Sequence, residues 1–472
     1  MPDRLDIQAQ ARRVAREFNS GDVVALGPGM PCSVPPVMPG GAPVHFLADS
    51  GALGYWKSGD GGGTAEPQLA VDSSGQGAII KPGGTFLSAV DLAAMLRSGQ
   101  VATAVIQPGW VTPGGDFAHW TTSANPELSA AGAAADLASG AGRVIAMMSH
   151  SAPDGRPNIV EHGTIPPDSA DCVDLIVTDV AVIRVEGGNL TLAELAPDWR
   201  IDDVAAITGA PLSAAADIRE FRLDLPALNP VSKIYPSGLD ALRDMPDGVL
   251  VNIDGFAGPG GMPHYLMVAL RDHGAKELTI ISNTAGLARV INFGTPPGRR
   301  AIDHSILVDN NQVKKAIASY PVSPSASTPT SFELAYQRGE VELEVVPQGT
   351  LAERIRAGGA GVAAFYTPTA AGTLLAEGKE TKVIDGKEYV LEEALRADYC
   401  LIRGHKADTL GNVVYKGTSR NFNPIMATSA RVTVVEVDEI VEPGELDPEA
   451  VVTPGVYINR VVQRPPDFSA YD

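Results

Sequence analysis

Basic residues are in short supply: 36 Lys and Arg stand against 56 Asp and Glu, a formal net charge of −20. That balance excludes a nucleic-acid backbone as the partner, because neutralising phosphates takes clustered Lys and Arg. Cysteine is nearly absent, with Cys32, Cys172 and Cys400 far apart and without metal-ligand spacing. A disulfide framework and a zinc site are therefore excluded, and a reducing, cytoplasmic setting is expected. No apolar run approaches the ~18 residues that a membrane-spanning helix needs. The opening stretch MPDRLDIQAQARRVAREF is charged and amphipathic, without the apolar centre of a signal peptide. What the 472 residues do contain is 44% hydrophobic residues, enough for two or three cores. The 50 glycines and 37 prolines gather in short motifs between apolar runs, as in loops built on close backbone approach.

Ile7, Ala11, Val14 and Phe18 share one helical face at i, i+4, i+7 and i+11. VVALGPGMP (Val23–Pro31) reads as a buried strand ending in a Gly/Pro turn, and VHFLADSGALG, GAIIKPGGTF, VATAVIQPGWV, RVIAMMSHS and DLIVTDVAVIRVEGG follow as further apolar runs. LSAVDLAAMLRSG and LTLAELAPDW read as helices between and after them. In the second half PDGVLVNIDGFAGPGGMP is strand then glycine-rich turn, followed by an HYLMVALRDHG helix, the strand LTIISN and the helix LAERIRAGG. The end, from RVTVVEV to YINRVV, reads as a strand pair with acidic turns. Short apolar runs alternating with helices predict open, mostly parallel α/β sheets. The expected division is 1–216, a linker 217–232 ending in LPALNPVS, and 233–472. Two comparable α/β halves place the expected site in the cleft between them.

The glycine-rich turns alone are neither a dinucleotide fingerprint nor a phosphate-binding loop with GK[ST]. The segment VPQGTLAERIRAGGAGVAAFYTPT (Val346–Thr369), by contrast, closely resembles the family I coenzyme A transferases. TIISNTAG, LRADYCLIRGHKADTLGN, RNFNP and TPGVYINRVV resemble the α-type subunit of that family. ALGPGMP, PGGTF with MLRSG, WVTPGGDFAHW and MMSHS in the first half resemble its β-type subunit. The β-type half comes first, the reverse of the familiar fused enzymes.

The resemblance implies two open α/β domains of the coenzyme A transferase type, with acyl-CoA and a small carboxylic acid as substrates and no tightly bound cofactor. It also implies a homo-oligomer, a dimer or a tetramer. The family's nucleophile is a glutamate in a Ser-Glu-Asn-Gly turn, which passes through an acyl anhydride and an enzyme–CoA thioester. Here that turn falls on Ala48-Asp49-Ser50-Gly51, and the Asp49 carboxyl stands about 1.5 Å further back, one C–C bond. By the same matching, Asp49 and Ser50 carry the chemistry and His119 replaces the Asn of a GDLANW-type motif, with Trp110 a newcomer beside it. Gly27, Gly29, Gly83, Gly84, Gly109 and Trp110 are expected to line the acyl and oxyanion pocket. Gly255, Phe256, Gly260 and Gly261, with Gln348 and Gly349, are expected to hold CoA. Three activities stay open at this point: CoA transfer through Asp49; hydrolysis or C–C cleavage of an acyl-CoA with Asp49 or His119 as acid or base; and CoA binding without catalysis. For Asp254, His119, Cys32 and the Glu353–Arg356 helix face, turn chemistry, structural hydrogen bonding, core filling and a solvated or salt-bridged surface are the competing readings.

Overall fold

The computed structural model describes residues 2–57, 70–119, 134–163, 165–256, 260–288, 290, 296–325 and 327–471. The chain forms two compact units, Met1–Val231 and Ser232–Asp472. Among the described residues no helix is long and apolar enough to cross a membrane.

Among the described residues the first unit contains twelve strands. In chain order they are β1 (Val23–Leu26), β2 (His45–Ala48), β3 (Ala52–Lys57), β4 (Ala78–Phe86), β5 (Thr103–Ile106) and β6 (Trp110–Val111). β7 (Phe117–Ala118), β8 (Val144–Met147), β9 (Leu175–Val177), β10 (Ala181–Glu186), β11 (Asn189–Leu195) and β12 (Leu212–Glu220) follow. Ten of them form one sheet in the order β12-β11-β10-β9-β8-β5-β1-β2-β3-β4, and β6 and β7 pair separately. The middle of the sheet, from β9 to β2, is parallel. β1, β5 and β8 are buried at every position, as expected of parallel strands covered on both faces. The helix Ile7–Ala15 starts on an Asp6 cap that accepts the Ala9 N–H. Ala11, Val14 and Phe18 are buried against Phe46 and Leu26, whereas Ile7, at the start of the same face, is 40% exposed.

Two expectations change in this unit. LTLAEL is not a helix: it is β11, antiparallel to β10, with Leu190 and Leu192 buried. A short amphipathic run satisfies both periods, and here sheet pairing decides. β12 runs through Glu220, so the segment read as a linker from Asp217 begins inside a strand.

The second unit's main sheet is entirely parallel. Its strands are β13 (Ile234–Tyr235), β14 (Leu250–Ile253), β15 (Leu278–Thr284), β16 (Val313–Tyr320) and β17 (Glu342–Val345). A three-stranded sheet of β18 (Ala364–Thr367), β19 (Thr381–Ile384) and β20 (Lys387–Glu393) is separate from it. Then come β21 (Ala397–Arg403), β22 (Lys406–Asp408), β23 (Val413–Val414), β24 (Ala430–Val437), β25 (Glu439–Val441) and β26 (Arg460–Gln463). The order across the main sheet is β13-β26-β24-β21-β14-β15-β16-β17. Alternate residues enter opposite cores: Val251, Ile253 and Ile280 join one, Ile281, Cys400 and Ile402 the other. The helix Gln348–Gly359 carries Arg354, which is not a solvated surface residue. It is 9% exposed, pairs with Glu344 at 2.8 Å and donates to the Glu393 carbonyl at 2.8 Å. Glu353 and Arg356 do form the expected pair on the outer face.

Near the end of this helix a Cβ on Gly358 would lie 2.0 Å from the Leu395 carbonyl oxygen. Alanine normally gains up to about 1 kcal/mol over glycine inside a helix, but overpacking against backbone costs about 1–3 kcal/mol. Gly358→Ala is therefore expected to lower the midpoint of urea denaturation, and an unchanged or raised midpoint would contradict this packing.

Candidate active site

In an open parallel sheet, ligands bind beyond the carboxyl ends of the strands where the strand order reverses. In the first unit that point lies between β1 and β5. The loop after β1 begins at Gly27, whose N–H donates to the Val105 carbonyl. Gly29 has φ +87°, and a Cβ there would fall 2.0 Å from the Gln107 Oε1. That oxygen accepts the Met30 N–H at 2.6 Å, so a side chain at position 29 would displace this amide as well as strain the left-handed backbone. Gly109 N–H donates to the Ala118 carbonyl and starts the β6–β7 hairpin.

Asp49 is the first residue beyond β2, the parallel neighbour of β1. It is half-buried, and its N–H donates to the Ser73 hydroxyl at 3.0 Å. Burial pushes its carboxyl above the ordinary aspartate value and the nearby Asp72 carboxylate adds to this, while the Ser73 hydroxyl works the other way. Ser50 is exposed and its hydroxyl donates to the Val71 carbonyl at 2.6 Å. Gly51 continues the turn at φ +93°, with the Leu87 carbonyl 2.4 Å from where a Cβ would be. The Tyr55 hydroxyl is buried without a hydrogen-bond partner among the described residues. Its proton is held tightly by burial and by the nearby Cys32, Asp72 and Asp49.

The remaining residues expected in this half occupy other positions. Gly83 and Gly84 lie in β4 where its pairing with β3 slips. A Cβ on Gly84 would meet the Leu53 carbonyl oxygen at 2.8 Å, so close strand approach accounts for Gly84, while Gly83 takes a left-handed φ of +81°. Trp110 is buried in the β6–β7 hairpin, with Gly163 packed on its ring and its Nε1 without a partner among the described residues. His119 is half-buried and engaged by Asp168, whose Oδ2 lies 3.3 Å from Nδ1 and accepts the His119 N–H at 2.7 Å. Trp120 lies outside the described residues.

The second unit has its switch point between β14 and β21. Asn252 stands opposite Cys400 there, and Asp254 follows β14. Asp254 is fully buried, and burial pushes its carboxyl up to about 8. One carboxyl oxygen accepts the Phe256 N–H at 2.8 Å. The other, together with Asn252 Oδ1 and both side-chain polar atoms of Asn283, has no partner among the described residues. A Cβ on Gly255 would lie 2.4 Å from the Ser282 hydroxyl. Phe256 lines an open pocket of about 550 Å³ with Gly417, Thr418, Arg420 and Asn421. Gly261 offers its carbonyl to Asn423 at 2.9 Å, whereas Gly260 and Gly349 are exposed and Gln348 opens the helix Gln348–Gly359. The glycine-rich turn's residues 257–259 lie outside the described set. The residues that sequence reasoning missed are Asp72, Ser73, Gln107 and Asn283. Of these only the first two had a local signal, the Asp-Ser-Ser-Gly run of a turn.

The family model described as Coenzyme A transferase matches residues 61–206 and 239–464. The chain belongs to that family, and the match runs through both units. One subunit of the 3-oxoadipate CoA-transferase of Pseudomonas putida is 46% identical over 232 residues, 49% of this chain and 94% of the relative. One subunit of the probable succinyl-CoA:3-ketoacid coenzyme A transferase of Bacillus subtilis is 44% identical over 232 residues, 49% of this chain and 90% of the relative. A solved acyl-CoA transferase of E. coli O157:H7 overlays with a TM-score of 0.43 and 20% identity, covering 51% of this chain and 48% of that one. The protein is thus an enzyme of the CoA-transferase kind.

Asp254 generates a pH prediction. Its proton is bound more tightly in the folded state (about 8) than at the ordinary 3.8. Its neutral form therefore supports folding fully below about 4, and that support is lost as pH rises toward 8. Asp254→Asn keeps the acceptor for the Phe256 N–H and removes the ionisation. The variant is expected to gain on the wild type in urea midpoint between pH 5 and pH 8; a difference independent of pH would contradict the buried neutral carboxyl.

Proposed function

We propose that the protein moves CoA between carboxylic acids through a covalent intermediate on Asp49, the first unit acting as the β-type half and the second as the α-type half. The observation that carries this reading is the position of Asp49: a half-buried carboxyl at the carboxyl end of β2, beside the loops of the β1–β5 switch point. The carboxylate attacks the thioester carbonyl and expels CoA as thiolate, leaving an acyl–aspartyl anhydride. The thiolate then attacks the Asp49 carbonyl of the anhydride, releasing the first carboxylic acid and forming an aspartyl–CoA thioester. An incoming carboxylate reverses the two steps and leaves as the new acyl-CoA. Partial burial supports the attack in two ways: it raises the basicity of the carboxylate and strips water from the nucleophile.

The names of the relatives point to 3-oxo acids as the acyl class, with succinyl-CoA a natural donor for the test. The hydrolase or lyase reading would assign the proton transfers to His119, whose Asp168 partner orients the ring.

Incubating the protein with succinyl-CoA and no acceptor is expected to give a CoA-sized covalent adduct in the intact mass, localised to Asp49 by peptide mapping. Asp49→Ala is expected to lose the adduct and more than about 10³-fold in turnover. Release of free CoA without an adduct would overturn the transfer mechanism in favour of hydrolysis. Binding without turnover would overturn catalysis altogether.

A further inference from the structure

Between β3 and β4 the chain makes a tight turn at Asp72–Gln76 that reaches over to the ends of β1 and β2. The Asp72 carboxylate builds it: one oxygen accepts the Ser74 N–H at 2.8 Å and the Gln76 N–H at 2.9 Å, and backbone bonds between Asp72 and Gln76 and between Gly75 and Asp72 close it. The turn offers two adjacent hydroxyls to two different loops. Ser73 accepts the Asp49 N–H and donates to the Leu26 carbonyl, the last residue of β1. Since Leu26 and Ala48 are register partners, this hydroxyl extends the β1–β2 ladder by one rung beyond the strands. Ser74 accepts the Gly29 N–H at 2.8 Å and lies 3.3 Å from the Cys32 Sγ. A third tie runs the other way, from the Ser50 hydroxyl to the Val71 carbonyl.

The Ser73 hydroxyl is thus the link between the Asp49 N–H and the end of β1. Displacing a reacting group by ~1 Å can cost on the order of 10²-fold in rate. A carboxylate one methylene shorter than glutamate has less reach with which to correct such a displacement. We propose that Ser73 is the positioning residue of the nucleophile: its hydroxyl fixes the Asp49 backbone against the end of β1, and the Asp72 turn holds that hydroxyl in place. This rests on the reading of Asp49 as nucleophile.

The test uses the full-length enzyme with succinyl-CoA, comparing Ser73→Ala and Ser73→Thr with the wild type. Ser73 is half-buried in a turn, so alanine leaves no core cavity, and thermal melting checks that each variant is folded. Ser73→Ala is expected to slow formation of the Asp49 adduct and kcat on the order of 10²-fold, with KM for succinyl-CoA little changed. Hydrogen exchange at the Asp49 amide is expected to speed up in the same variant. Ser73→Thr, which keeps the hydroxyl, is expected to restore both. A wild-type adduct rate in Ser73→Ala, or a defect that threonine fails to rescue while melting is unchanged, would overturn the proposal with the nucleophile still standing. If the wild type forms no adduct on Asp49, the functional reading fails and the positioning role fails with it, whatever the exchange rates show.

Discussion

Parallel pairing of β2, β1 and β5 is the constraint on which the first unit's site depends. The register sets Leu26 beside Ala48 on one side and beside Val105 on the other, so three strands end at the same level and their loops emerge together. Every special feature of the loops follows from that crowding. Gly29 is held at φ +87° with the Gln107 amide where a Cβ would lie, and Gly51 at φ +93° with the Leu87 carbonyl there. A side chain at position 51 would meet the Leu87 backbone, whereas one at position 29 would displace the Gln107 amide from the Met30 N–H. The Ser73 hydroxyl satisfies the half-buried N–H that follows β2, as such backbone demands, and Ser74 takes the exposed N–H of Gly29 in the loop after β1.

The second unit uses the same edge of a parallel sheet differently. There the polar groups at the switch point are almost completely removed from water, and several lack partners among the described residues. A buried charge in such surroundings is disfavoured, so Asp254 keeps its proton near neutral pH. The nearby Cys400 thiol and Tyr415 hydroxyl are also pushed up by burial and by the adjacent Asp254. Unpaired polar groups of this kind reduce stability by about 1–3 kcal/mol each. Together they mark the carboxyl end of β14 as a place where stability is not the only quantity that the sequence serves.

Much of the architecture was legible because long apolar runs bounded by Gly and Pro have few other fates: VVAL, TAVI and VIAM became fully buried parallel strands, and IQAQARRVA became a capped helix. LTLAEL was not, since its alternation is too short to separate a strand from a helix and the deciding partner, β10, is a pairing effect. Arg354 looked like surface because its helix face is charged, yet Glu344 and the Glu393 carbonyl enclose it from other elements. For the candidate site, family resemblance pointed to Asp49, Gly27 and Gly29, which lie in the loops at the carboxyl ends of β2 and β1. Ser73 and Gln107 stayed hidden because their roles are defined entirely by what lies across the fold: neither residue carries any pattern in its own neighbourhood that names Asp49 or Met30 as its partner.

In the proposed transfer reaction the Asp49 carboxyl exchanges one oxygen atom with the substrates during each cycle. An acceptor acid labelled with ¹⁸O in its carboxylate, turned over with succinyl-CoA in unlabelled water, tests this most directly. ¹⁸O is expected in the Asp49 side chain after proteolysis, because collapse of the second anhydride leaves one acceptor oxygen on the enzyme. Turnover that leaves the Asp49 peptide unlabelled would contradict it.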